Sequence, residues 1–206
     1  MNVFITGTDT NIGKTFISAW LCLHTGYDYF KPIQTGSIEG TDSAFVKNLA
    51  NVKIHPENYL YKAPVSPHLA AQIENDNIDI NRIQLPSTLT GKGLIVEGAG
   101  GLLVPLNRQM LMIDLIQHFS VPVILVARST LGTINHTLLS IEALRRRQIP
   151  LLGIIVNGEY NRPNCEAIEY YGNTTVLAEM PKLDSVNTAS LLNIPPGKRL
   201  HSLFEV

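Results

Sequence analysis

Asn2-Val3-Phe4-Ile5-Thr6-Gly7-Thr8-Asp9-Thr10-Asn11-Ile12-Gly13-Lys14-Thr15 is the stretch that decides the fold. An apolar β-type run passes into a turn with a glycine at either end, then Lys-Thr, then the helix-like Phe16-Ile17-Ser18-Ala19-Trp20-Leu21. Strand, loop and helix in that order aim backbone N–H groups and the positive end of a helix dipole at one point, an arrangement that holds phosphate. Lys14 is expected to reach the β- and γ-phosphates of a nucleotide, and the Thr15 hydroxyl to bind Mg²⁺. The spacing departs from the common G-x-x-x-x-G-K-T, because five residues lie between Gly7 and Gly13 and Thr8 stands where the first glycine is expected. The plain structural alternative is a Gly-rich strand-to-helix turn with a surface lysine; the order strand, loop, helix favours the phosphate loop.

Outward from this loop the chain alternates between the two periodicities. Tyr27 to Ile33 is a β-rich run followed by the polar Gln34-Thr35-Gly36-Ser37, and Thr41-Asp42-Ser43 reads as the start of a helix through Ala50. Val52 to Pro67 has no clear period and is read as an irregular excursion before a helix over Pro67 to Gln72. Gly93 to Glu97 reads as a buried parallel strand running into Gly98-Ala99-Gly100-Gly101, and Met110 to Phe119 as a helix. Then come a strand over Val121 to Ala127, a long helix over Thr133 to Gln148 ended by Pro150, a strand over Leu151 to Asn157, a helix over Cys165 to Tyr171 and a short last strand over Thr174 to Leu177. Such alternation demands right-handed crossovers. The expected fold is one α/β domain over residues 1–206, doubly wound, with a mostly parallel sheet covered by helices on both faces, of the P-loop NTPase type.

Composition narrows the partners. The chain has 206 residues, of which 45% are hydrophobic and 16% charged, enough for one large core and far from a disordered chain. Sixteen Lys and Arg against seventeen Asp and Glu leave a net charge of −1, no electrostatic footprint for nucleic acid or an anionic membrane. A small-molecule partner is expected. Cys22 and Cys165 lack metal-ligand spacing and suit a reducing cytosol. The amino terminus opens on a strand rather than a leader, and no run of about eighteen apolar residues occurs, so the expected location is cytoplasmic.

Ligands of an open parallel sheet sit beyond the carboxyl ends of its strands. Lys31 ends the second strand and Glu97 the third, just before a glycine turn that lets backbone approach a ligand. Beyond the Thr15 hydroxyl, Mg²⁺ needs further oxygen ligands, and Glu97 and Asp42 fit. The structural alternatives are a solvated strand-end lysine for Lys31 and a helix N-cap for Asp42.

These residues resemble the dethiobiotin synthetases, and the resemblance spans most of the chain. Gly7 to Thr15 is similar to that family's T-G-T-D-T-x-x-G-K-T loop, including its long glycine spacing; Phe30-Lys31-Pro32-Ile33-Gln34-Thr35-Gly36 resembles its Y-K-P-x-x-[ST]-G segment. Thr41-Asp42-Ser43-Ala44 matches its aspartate-bearing helix start, and Val96-Glu97-Gly98-Ala99-Gly100-Gly101 its V-E-G-A-G-G turn. Ser66-Pro67-His68, Leu131 to His136 and Val156-Asn157 follow in order.

The resemblance implies ATP-driven carboxylation of 7,8-diaminononanoate by CO₂, through a carbamate and its mixed anhydride with phosphate, closing the ureido ring of dethiobiotin. It implies Lys31 and Lys14 as catalytic residues and Mg²⁺ held by Thr15, Asp42 and Glu97. It places the nucleotide against Asn11, Ile12, Gly13, Lys14, Thr15, Phe16, Asp42, Glu97, Gly98, Ala99 and Gly100, with the base near Asn157, Gly158, Pro181, Lys182 and Leu183. Thr10 and Thr35 are implied substrate contacts. So are Gly132, Thr133 and Asn135, which in a homodimer form the helix start that meets the diamine's remote carboxylate across the interface. Asn11 replaces an acidic residue of some members, and Lys182 stands where relatives can carry an aromatic.

Other features have plainer readings. Arg145-Arg146-Arg147 complements a helix C-terminal dipole, Trp20 and its neighbours are core residues of the first helix, and His68 and His136 lack metal spacing. Two competing functions share the loop. A switch ATPase of the partitioning type resembles K-G-G-x-x-G-K-T, whereas Thr8-Asp9-Thr10 stands here. A cobyrinate-type amidating synthetase needs a glutaminase domain of some two hundred further residues.

Overall fold

The computed structural model describes residues 1–88 and 91–204. In chain order the elements are β1 (Asn2–Gly7), α1 (Lys14–Thr25), β2 (Asp28–Phe30), β3 (Ile33–Gln34), α2 (Asp42–Ala50), β4 (Ile54–His55), β5 (Tyr59–Leu60) and α3 (Pro67–Ile73). They continue with β6 (Leu94–Gly101), α4 (Met112–Phe119), β7 (Val123–Arg128), α5 (Thr133–Arg146), β8 (Leu151–Asn157), α6 (Arg162–Gly172), β9 (Val176–Met180), α7 (Thr188–Leu192) and α8 (Lys198–Phe204). Seven strands form one sheet in the order β4-β2-β6-β1-β7-β8-β9, every neighbouring pair parallel. This is the doubly wound α/β architecture expected from the alternation.

Side chains alternate across the central strands, so each strand feeds two cores. Phe4, Leu94 and Val96 point to one face, where Ile113, Ile116 and Phe119 of α4 and Leu144 of α5 cover them. Val3, Ile5 and Ile95 point to the other, against Ile17, Trp20 and Leu21 of α1 and Leu191, Leu200 and Phe204 of the last two helices. A third cluster joins Leu125, Ala127, Ile154 and Val156 to Ile141 of α5 and Ile168 of α6. Both faces of a parallel sheet are thereby dry, which is why its strands read as continuous apolar runs.

Four local expectations are corrected. The run from Tyr27 to Ile33 is two strands in two sheets, because Pro32 has no N–H to donate to a ladder; its carbonyl instead accepts from the Asn58 and Tyr59 amides at 3.0 and 3.1 Å. Within the supposed irregular stretch, β4 forms the edge of the main sheet and β5 pairs with β3. The last strand is Val176–Met180 rather than 174–177. Glu97 lies inside β6, which continues through the glycines to Gly101 with a register shift opposite β1. Beyond Lys182 the chain adds α7 and α8, and the Trp20 indole donates to the Ile194 carbonyl at 2.7 Å, tying that end to α1.

Candidate active site

β1 lies at the centre of the sheet with β6 on one side and β7 on the other, so the chain turns in opposite directions around it. That switch point is where a crevice opens beyond the strands' carboxyl ends. The cleft there has a volume of about 900 Å³, bordered by the 10–15 loop, Lys31, Gln34, Thr35, Asp42, Glu97, Ala99 and Gly100, with Pro64, Val65 and Val104 as an apolar wall.

The loop is held open by local chemistry. Gly13, the residue before α1, has φ 91°, and a Cβ there would stand 2.2 Å from Asn157 Nδ2, so both conformation and space require glycine. Asn11 also takes a left-handed conformation, φ 57°, which asparagine tolerates better than most side-chain-bearing residues. The Asn157 amide donates to the Ile12 carbonyl at 2.9 Å, bracing the loop from the end of β8. Asp9 is pinned by the Thr10 amide at 2.7 Å and by an ion pair with Arg128. Those contacts, the backbone one first, lower its pKa. Lys14 is buried and donates to the Asp9 carbonyl at 2.9 Å. Burial pulls its pKa down to about 8.

Behind the loop three segments meet at one carboxylate. Glu97 Oε1 accepts from Thr15 Oγ1 at 2.8 Å and from Lys31 Nζ at 3.0 Å, while Oε2 accepts from the Tyr29 hydroxyl at 3.0 Å. Lys31 also donates to Asp42 Oδ2. Lys31 is only 4% exposed, which excludes the solvated strand-end alternative. Burial opposes its charge, but the Glu97 and Asp42 carboxylates outweigh that and raise its pKa, so it remains a cation. Asp42 is not the helix cap either: Thr41 occupies that position and its hydroxyl accepts from the Ala44 amide at 3.1 Å. Asp42 is left to face Lys31.

Thr15, Asp42 and Glu97 offer a hydroxyl and two carboxylates, oxygen donors of the kind a hard divalent cation takes, with the Lys31 ammonium now set against both carboxylates. Adjacent ligands of an octahedral Mg²⁺ at its usual bond length are about 2.9 Å apart, and Thr15 Oγ1 and Glu97 Oε1 are 2.8 Å apart. Among the described residues no group of three His, Cys, Asp or Glu could hold a metal.

The remaining expected residues are spread over several places. Thr10 and Thr35 border the same cleft. Asn157 and Gly158 stand beside Met180 and Pro181, because β8 and β9 pair in register and the Gly158 amide donates to the Met180 carbonyl at 2.9 Å; Pro181 and Lys182 are exposed. Gly132, Thr133 and Asn135 lie at the start of α5, outside the cleft, and the buried Thr133 hydroxyl is already spent on the Arg128 carbonyl. The Phe16 and Leu183 side chains pack against the core around α1, and a side chain at Gly98 would meet the Phe4 ring at 2.8 Å. Reading the sequence missed Tyr29, Gln34 and Arg128. Only the amide of Gln34, inside the polar loop, offered a signal; it accepts from the Asp42 amide at 3.0 Å and donates to the Thr35 carbonyl at 2.7 Å.

A protein-family model described as an AAA domain matches residues 1–190. A relative from Lawsonia intracellularis, named ATP-dependent dethiobiotin synthetase BioD, is 56% identical over 206 residues, all of both chains. Another of the same name, from Paramagnetospirillum magneticum, is 52% identical over 94% of each. Among solved structures, a ParA family ATPase from Chlorobium tepidum matches with a TM-score of 0.53 over 98% of this chain and 95% of that one, at 12% identity, a likeness of fold alone.

Proposed function

The chain belongs to the ATP-dependent dethiobiotin synthetases, and we propose that the 900 Å³ cleft is where it joins CO₂ to 7,8-diaminononanoate at the expense of ATP. Its activity is that of a ligase forming dethiobiotin. The observation that carries the site assignment is the buried Lys31 cation set between Asp42 and Glu97 with Thr15 on the same carboxylate oxygen.

In this reading the backbone amides of Asn11 to Thr15 and the Lys14 ammonium cradle the ATP phosphates. Lys14 would leave the Asp9 carbonyl for them, where the phosphate charges offset the burial that lowers its pKa. Thr15, Asp42 and Glu97 would hold Mg²⁺, which would supply positive charge against the nucleotide phosphates. Asn157, Gly158 and the Pro181-Lys182-Leu183 segment flank the base. The diamine lies toward Thr10 and Thr35, along the apolar wall of Val65 and Val104.

CO₂ adds to one amine, forming a C–N bond and releasing a proton, to give a carbamate. A carbamate oxygen attacks the γ-phosphorus, the bond to the β,γ-bridging oxygen breaks, and ADP leaves. The second amine then attacks the carbamoyl carbon and expels phosphate, closing the ring. Lys31 and Lys14 oppose the negative charge spread over the transferring group, a task suited to preorganised cations in a site closed to water.

The working form is a homodimer in this reading. Gly132 and Asn135 are exposed outside the cleft, so a diamine carboxylate would meet the corresponding helix start of a second copy. Leu131, beside them, is fully exposed, and Leu139 on α5 is 57% exposed, apolar surface that a partner would cover. A cytoplasmic location fits the two free, buried cysteines. None of the helices among the described residues is long and apolar enough to cross a membrane.

Incubation with 7,8-diaminononanoate, bicarbonate, Mg²⁺ and ATP should yield dethiobiotin by mass spectrometry. ATP hydrolysis that proceeds at full rate without the diamine would sink the reading.

A further inference from the structure

Glu97 has two carboxylate oxygens, and they are used by different parts of the molecule. Oε1 faces Thr15 and Lys31, while Oε2 receives a single hydroxyl, that of Tyr29, at 3.0 Å. Tyr29 sits on β2, hydrogen-bonded beside β6 in the register Tyr29 to Ile95, and it is fully buried. A phenylalanine would fill the same volume in that core without burying a polar atom, so the hydroxyl is retained against a desolvation cost that only its carboxylate partner offsets. The last torsion of a glutamate is soft, and a carboxylate gripped on one oxygen alone could swing. Tyr29 grips the other.

We propose that Tyr29 is a positioning residue for the metal site: its hydroxyl, fixed by the core, holds Glu97 Oε2 and so keeps Oε1 directed at Thr15, where the two oxygens would meet a divalent cation. The proposal rests on the Mg²⁺ reading above. Partners that orient a metal ligand without touching the metal typically change metal affinity by 10- to 100-fold when removed.

The test is Tyr29→Phe, which deletes one oxygen and keeps the ring. Mn²⁺ is titrated into protein saturated with ADP and followed by electron paramagnetic resonance, alongside ADP binding without metal and the Mg²⁺ dependence of dethiobiotin formation. Tyr29→Phe should weaken Mn²⁺ binding roughly tenfold and raise the Mg²⁺ needed for half-maximal turnover by the same factor. Metal-free ADP binding should stay at the wild-type value. Unchanged Mn²⁺ affinity, an equal loss of metal-free ADP binding, or a variant that does not fold would each overturn the proposal. Glu97→Gln in the same titration separates the two readings: if it leaves Mn²⁺ binding untouched, the metal assignment itself fails, whatever Tyr29→Phe does.

Discussion

Lys31 keeps its charge where water hardly reaches because Glu97 and Asp42 stand against it, and the same arrangement makes its removal informative. Lys31→Ala should lower dethiobiotin formation by about a thousandfold, the upper range for losing one preorganised electrostatic contact. It should also destabilise the protein, since Glu97 would be left buried without its cation. Breaking a buried ion pair costs about 3–5 kcal/mol, and the 31% exposure of the Asp42 side chain argues for the lower end. Mg²⁺ bound as proposed would replace part of the missing charge, so its addition should raise the melting temperature of Lys31→Ala more than that of the wild type. Near-normal activity in the variant would reduce Lys31 to a structural cation. The lysine itself was legible from its place at a strand end in a family-like segment. Its burial was not, because that depends on β6 lying beside β2, and the Tyr29 and Arg128 contacts were hidden for the same reason: their partners are 68 and 119 residues away.

At the level of elements, α2 is aimed by the short connection before it. Pro32 breaks the extended run and Gln34 at the end of β3 bridges to the helix, its side-chain carbonyl receiving the Asp42 amide. Gln34→Leu should leave that amide without its partner and cost about 1 kcal/mol in stability, with a rise in the Mg²⁺ required for turnover as Asp42 loses its setting. Thermal melts and Mg²⁺ titrations of activity would check both; unchanged Mg²⁺ dependence would mean that Asp42 is positioned by Lys31 alone. Long elements such as α5 and β8 were readable because period and length agree over many residues. β3, β4 and β5 have two residues each, too few to show any period.

Over the whole molecule, alternation of strands and helices was enough to anticipate a parallel sheet covered on both faces, whereas strand order was not. Nothing local to residues 94–101 announces that β6 inserts between β1 and β2, yet that insertion brings Glu97 to Thr15 and Lys31. The last two helices escaped notice because they are five and seven residues long and owe their place to contacts with α1. In the proposed dimer the exposed Leu131 lies at the interface, so Leu131→Asp should shift light-scattering mass toward the monomer and weaken diamine use; a wild type that is monomeric and fully active at all concentrations would refute that. Transfer of the γ-phosphoryl group to a carbamate oxygen can be read by oxygen labelling. With ¹⁸O-labelled CO₂, diamine, Mg²⁺ and ATP over the first turnovers, the released phosphate should carry one labelled oxygen, because the carbamate oxygen that attacks phosphorus leaves with it when the ring closes. Dethiobiotin accompanied by unlabelled phosphate would rule out transfer to a carbamate oxygen.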